Sequence, residues 1–267
     1  MKRSLIILID AVCALVVLVG CTVEGRDMDK GRLVTVIDVN SVNQESNISY
    51  EFRYDDSGRV SDMSIFVHGN EQERASFSYS SDKIILTGTL GELSSYEWEL
   101  NSRGLVNSRK MVSDDSEYVY YYSYGEDRLL YAQSMLAESY NITEIYEREN
   151  GNVVRSISTV YYDEYSQEYA DEYYYTFTSS VDKSNLDIMA VIGNGCLSGY
   201  PVQITEMDKS VFKSLGNRNL PKTFRNPNNP GDSWNFTYAF DRYGYLKGVD
   251  VFMDNNLEFR VSVIYNK

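Results

Sequence analysis

Apolar and polar residues alternate with period two through most of the chain. In YEFRYDDSGRV, Tyr50, Phe52 and Tyr54 alternate with Glu51 and Arg53, so one face of a strand is aromatic and the other charged. The same approach to a turn recurs in FSYSSDKI (77–84), YEWELNSRGLV (96–106), YYYSYGEDRL (120–129), EIYERENGNVV (144–154) and NFTYAFDRYGYL (235–246). The last strand residues before these turns, Tyr54, Tyr79, Leu100, Tyr124 and Glu147, lie 21 to 25 residues apart. That is one hairpin per repeat, about twice the usual strand spacing of an all-β chain. Further strands are predicted over 31–39, 63–67, 155–162, 172–178, 249–253 and 257–265.

The turns carry their own chemistry. Asp55 and Asp241 directly follow a strand, where a carboxylate caps the turn by accepting backbone N–H groups. Gly58, Gly104, Gly151 and Gly244 stand where the turn needs positive φ, which is cheap only for glycine. The expected fold is therefore all-β: an antiparallel meander of repeated hairpins forming a curved sheet or open barrel, in one domain over 31–267. Residues 183–232 break the pattern with NLDIMAVIGNGCL and RNPNNPGDS. They read as an irregular insertion that caps or plugs the sheet, with a short helix around 207–217.

The N-terminus reads as an address. Lys2 and Arg3 precede an apolar run from Leu5 to Gly20, shorter than the ~20 residues a spanning helix needs. Residues 1–20 are expected to be a signal peptide and 21–30 a tether. Leu18-Val19-Gly20-Cys21 resembles the lipobox of bacterial lipoproteins. That resemblance implies cleavage before Cys21 and acylation of its thiol and new N-terminus, palmitate included. The expected location is the cell envelope, most simply the outer membrane, on either its periplasmic or external face.

Charge and chemistry then narrow the function. The net charge of −14 sets the chain against phosphate backbones, so nucleic acid is not an expected partner. With Cys13 in the signal and Cys21 acylated, Cys196 stands alone and no disulfide framework exists. His68 is the only histidine. No nucleophile elbow, phosphate loop or zinc spacing occurs. Asp55/Asp56, Asp114/Asp115 and Asp27/Asp29 are carboxylate pairs; Asp55 and Asp56, as strand neighbours, point to opposite faces, and turn capping is the expected role. No catalytic residue, metal or cofactor is expected, and the chain does not read as an enzyme.

Aromatic residues are the candidate binding groups. Tyr118, Tyr120, Tyr122 and Tyr124 share one strand face, and the tract from Tyr161 to Tyr175 is also tyrosine-rich. Such rings stack on sugars or cover acyl chains when exposed, and pack across strands when buried.

The aromatic-Asp-x-x-Gly-x-aliphatic hairpins, then Asn185-Leu186-Asp187, Leu215-Gly216, Asn219-Leu220-Pro221 and the closing YAFDRYGYLKGV, resemble an uncharacterised lipoprotein family of gut Bacteroidetes. That family is a domain of unknown function with a porin-like fold, so the resemblance implies architecture and no activity. The tips also resemble the YD repeats of Rhs-type shell proteins. Two readings remain open. One is a membrane-tethered, non-enzymatic binding module for a glycan, lipid or peptide. The other is a structural or assembly lipoprotein whose sheet edge or tyrosine face docks an envelope protein.

Overall fold

The computed structural model describes residues 33–42, 47–89, 93–113, 117–162, 167–181 and 217–266. They form β1 (Val34–Ser41), β2 (Asn47–Tyr54), β3 (Val60–Val67), β4 (Asn70–Tyr79), β5 (Lys83–Thr89), β6 (Leu93–Leu100), β7 (Val106–Ser113) and β8 (Glu117–Tyr124). Then come β9 (Leu130–Leu136), β10 (Tyr140–Glu149), β11 (Asn152–Tyr162), β12 (Gln167–Val181), β13 (Asn219–Asn226), β14 (Asn229–Phe240), β15 (Leu246–Met253) and β16 (Asn256–Tyr265). Each strand pairs antiparallel with its neighbours in sequence, and β1 pairs with β16, so the meander is a closed barrel.

Closure corrects the expectation of a curved sheet or open barrel. An open sheet would leave two rows of unpaired N–H and C=O groups. Here the first and last strands satisfy each other, with Ile37 opposite Val263 and Val39 opposite Val261. A second correction concerns 183–232. Its last part is wall, not insertion: β13 and the start of β14 lie within it. Two prolines of this region sit at irregularities of the ladder. Pro221 pairs with Phe177 where the β12–β13 register shifts, and Pro230 lies in the β13–β14 shift between Asn226 and Arg225 pairs. The helix expected at 207–217 and residues 182–216 lie outside the described residues. No helix occurs among the residues described.

Strand alternation decides which side is dry. Ile37, Val60, Met63, Trp98, Val106, Leu130 and Val251 are 0% exposed, and all face the bore. A round sixteen-stranded barrel would enclose a water channel. The inner face of this barrel is instead lined by a continuous cluster of buried apolar side chains. The outer face is the polar one. Glu51 and Arg53 on β2, Asp62 on β3, Arg74 on β4 and Asp250 on β15 all point away from the core. On that face Lys83 pairs with Glu97, and Arg260 with Asp250 at 3.6 Å.

Two kinds of turn recur at the rims. The β2–β3, β6–β7 and β14–β15 connections share one device. Asp55 Oδ1 accepts the backbone N–H groups of Ser57 and Arg59, both at 2.9 Å. Asn101 does the same for Arg103 and Leu105, and Asp241 for Tyr243 and Tyr245. Gly58, Gly104 and Gly244 hold φ near +70 to +80° and donate back to the capping residue's carbonyl. The chain leaves the described barrel at this rim, where Leu33 N–H donates to Asn266 Oδ1 and Asn266 N–H to the Leu33 carbonyl. On the opposite rim His68-Gly69 and Asp254-Asn255 are two-residue turns with both φ positive. Gly151 departs from its grouping with the other glycines: it is the second residue of the Asn150-Gly151 turn of this two-residue type.

Candidate functional site

Two places in the described barrel concentrate unusual chemistry. The first is inside the wall from β6 to β10. Antiparallel register sets Trp98, Arg109, Tyr120, Met135 and Ile142 side by side across five strands. One step along the strands, Tyr122, Gln133, Glu144 and Ser158 form the next row. Arg109 is 1% exposed. Its guanidinium lies 3.7 Å from the Tyr120 ring centre and 6.0 Å from that of Tyr96, whose ring stacks on Trp98 at 5.2 Å. Buried cations need such partners, because desolvation otherwise forbids the charge.

Glu144 is the anionic counterpart. Gln133 Nε2 and Tyr146 Oη both donate to its Oε2. Burial pushes its carboxyl up to about 7, while Tyr146, Gln133 and the more distant Arg109 pull it down. Burial also raises the phenols of Tyr96 and Tyr120. The cluster is therefore a packed polar layer with one carboxyl that titrates near neutrality.

This is where the structure places the tyrosine stripe. Tyr120 and Tyr122 are buried in the bore, 9% and 6% exposed, as partners of the Arg109 layer. Tyr118 and Tyr124 are half-buried at the ends of the same strand face and pack against the core. The four rings face inward and offer no platform on the outer surface. Sequence reasoning passed over Arg109 and Glu144. The signal was present for Glu144: in Ile142-x-Glu144-x-Tyr146 the carboxylate takes an inward position between two apolar ones.

The second place is the outside of the same wall. The outward row nearest the rim of the His68-Gly69 turn is Val119, Leu136, Asn141 and Tyr161. Next comes Tyr121, Ser134, Thr143 and Thr159, then Ser123, Ala132, Ile145 and Ile157. None is charged. Tyr121 (46%), Leu136 (42%), Ile145 (48%) and Tyr161 (43%) are exposed, and Tyr131 stands exposed beside them. Ion pairs frame the face. Lys110 meets Glu117 at 2.6 Å on one side. Arg155 bridges Glu147 and Glu172 on the other, at 2.8 Å from Glu172, and Tyr174 Oη donates to Glu172 at 2.8 Å.

The remaining candidates are placed plainly. Asp55, Gly58, Gly104, Asp241 and Gly244 form the rim turns described above. Cys21 and Cys196 lie outside the described residues. His68 sits at φ 51° in the β3–β4 turn. Among the described residues no three His, Cys, Asp or Glu side chains converge as a metal-holding group.

No protein-family model matches the chain, and no curated protein matches it. Solved structures do. A porin-like protein from Bacteroides vulgatus matches with TM-score 0.65 at 12% identity, covering 88% of this chain and 99% of that one. A porin-like protein from Bacteroides uniformis matches with TM-score 0.61 at 11% identity, covering 87% and 98%. At these identities the likeness is one of fold, and the fold is porin-like.

Proposed function

We propose that this chain is a lipoprotein of the cell envelope, acylated at Cys21, whose barrel is a non-enzymatic binding module for a glycan, lipid or peptide. One observation carries the reading: the barrel is dry inside and charged outside. A bilayer-spanning barrel presents an apolar band ~25 Å tall to lipid, and a charge at mid-membrane costs it ~2–4 kcal/mol. Glu51, Arg53, Asp62 and Arg74 stand on the outer wall of this barrel. Buried apolar side chains line the bore, which leaves the outer wall and the rims as the surfaces for a ligand. Membrane attachment then falls to the N-terminal Cys21. The chain emerges at Leu33, and the eleven residues 22–32 reach at most ~40 Å when extended.

Docking of an envelope protein is the second reading, and it rests on the uncharged face over β8–β11. It no longer includes pairing at a sheet edge, because closure leaves no edge.

The test is metabolic labelling of the full chain with an alkyne-tagged palmitate, followed by detergent phase partition. The expected result is label and detergent-phase partition in the wild type, both lost in Cys21→Ala. Detergent-phase partition of an unlabelled Cys21→Ala protein overturns the anchor and points to a wall that itself enters lipid.

A further inference from the structure

The charge pattern of the outer wall is uneven. Toward the ends of β8, β10 and β11 the outward positions carry Glu117, Glu147 and Arg155, members of the framing ion pairs. The twelve outward positions between them hold no charge, on a chain of net charge −14. Five of the ten exposed large hydrophobics of the described barrel gather on or beside this one face. Single exposed apolar residues need no explanation, but a cluster of this kind marks an interaction surface.

We propose that the outer face of β8–β11 is a platform for a neutral, hydroxyl-rich polymer, a glycan chain, with Tyr121 and Tyr161 as its stacking rings. This rests on the reading of the barrel as a binding module, and names the site and the ligand class. Charge complementarity selects the occupant. An anionic ligand would find no cation on the face and a net negative molecule behind it. A membrane surface laid here would have to bury the framing Lys110–Glu117 and Arg155–Glu147–Glu172 ion pairs. A peptide strand has no free sheet edge to extend. A neutral glycan meets none of these costs. Its C–H faces stack on phenol rings, which join a broad apolar face to a polar tip. Its hydroxyls meet Ser134, Thr143, Thr159 and Asn141, which lie between the two rings.

The spacing sets the ligand's size. Tyr121 on β8 and Tyr161 on β11 are three strand spacings apart and two residues out of row. With ~4.8 Å between strands and ~3.4 Å per residue, that is about 16 Å. One ligand touches both rings only if it spans several sugar units.

Affinity electrophoresis tests this on the full chain in a polyether detergent. The gels carry soluble β-glucan, arabinoxylan, galactomannan or α-glucan, with polygalacturonate as the charged control. The expected result is retardation by at least one neutral polymer and none by polygalacturonate. The double variant Tyr121→Ser/Tyr161→Ser should bind at least tenfold more weakly with unchanged thermal stability. Ile264→Ser, exposed on β16, should bind as the wild type does. No retardation by any neutral polymer overturns the proposal, as does retardation that the double variant keeps. A concentration-dependent dimer that the double variant dissolves also overturns it, by showing that a second copy covers the face. Palmitate label on Cys21 without glycan retardation removes only the platform. Retardation without label removes only the anchor.

Discussion

Tyr124 Oη donates to the carbonyl of Val106, eighteen residues earlier, at 2.7 Å. The last residue of β8 is thereby fastened to the first residue of β7. The contact is a repeated device. Tyr79 reaches Val60 at 2.8 Å, Tyr54 reaches Val34, and Tyr238 reaches Pro221. In β10 the same position is filled by Arg148, whose Nε donates to Leu130 at 2.7 Å. Five strands are thus tied back to the strand before them, at the rim where the Asp-x-x-Gly turns lie. Tyrosine suits the task because its ring stays in the core while the hydroxyl reaches a main-chain acceptor.

Removing one such tie tests its worth. Tyr124→Phe keeps the ring and deletes the hydroxyl. The expected loss is about 1 kcal/mol of unfolding free energy in urea, the net value of one internal hydrogen bond. Tyr131→Phe, an exposed ring on β9, should cost nothing measurable. Equal losses for the two would show that the rim tie contributes no more than a surface hydroxyl.

The local parts of this architecture were legible because they are local. A period-two aromatic run ending in Asp or Asn and a glycine three residues on fixes a strand, a turn and the start of the next strand. Closure was not legible, since nothing in VTVIDVNS marks LEFRVSVIY as its partner across the whole chain. Strand β13 was read as part of the insertion, and its Pro221 sits where the ladder shifts register. The tyrosines of β8 were legible as one face, but alternation alone does not say which face is inside, and Tyr121 gave the other face a ring as well. Arg109 and Glu144 were missed because each is one polar letter in an otherwise apolar register.

Gly88 and Gly104 separate two reasons for a glycine. Gly104 has φ +70° and open space where a Cβ would go, so Gly104→Ala should cost only the left-handed backbone, about 1 kcal/mol. Gly88 has φ +138°, and a Cβ there would lie 2.2 Å from the Arg74 carbonyl oxygen and 2.8 Å from Ala75 Cα. Strand β4 would have to part from β5. Gly88→Ala should cost roughly 3 kcal/mol or more, or abolish folding. A mild Gly88→Ala phenotype in urea denaturation would show that the β4–β5 ladder yields.

Glu144 makes stability fall as pH rises. Its folded-state carboxyl titrates at about 7, above the ordinary 4.5. Between those values the folded chain holds a proton that the unfolded chain releases, so the unfolding free energy decreases with pH. The cost is absent below about pH 4.5 and complete above about 7. At ~1.4 kcal/mol per unit it reaches a few kcal/mol at most. Glu144→Gln keeps an acceptor for Gln133 and Tyr146 and loses the titration. The variant should match the wild type at pH 5 and exceed it at pH 8. Parallel urea midpoints of the two proteins across pH 5 to 8 would place the carboxylate in contact with water.

The sharpest test of which side is dry uses two adjacent residues. Tyr120 points into the bore with its ring 3.7 Å from the Arg109 guanidinium, and Tyr121 points out at 46% exposure. Tyr120→Ser empties a ring's volume from a packed wall and strips cover from a buried cation. The expected loss is about 3–5 kcal/mol, in the range of large-to-small core substitutions. Tyr121→Ser removes a ring that touches solvent and should stay within about 0.5 kcal/mol. The contrast follows from period-two geometry, since one residue's step turns a side chain to the opposite face. If Tyr121→Ser were instead the costly change in detergent, the outer face would be meeting hydrocarbon. The barrel would then be a wall built for lipid, and the reading of a water-facing module on a tether would fall with it.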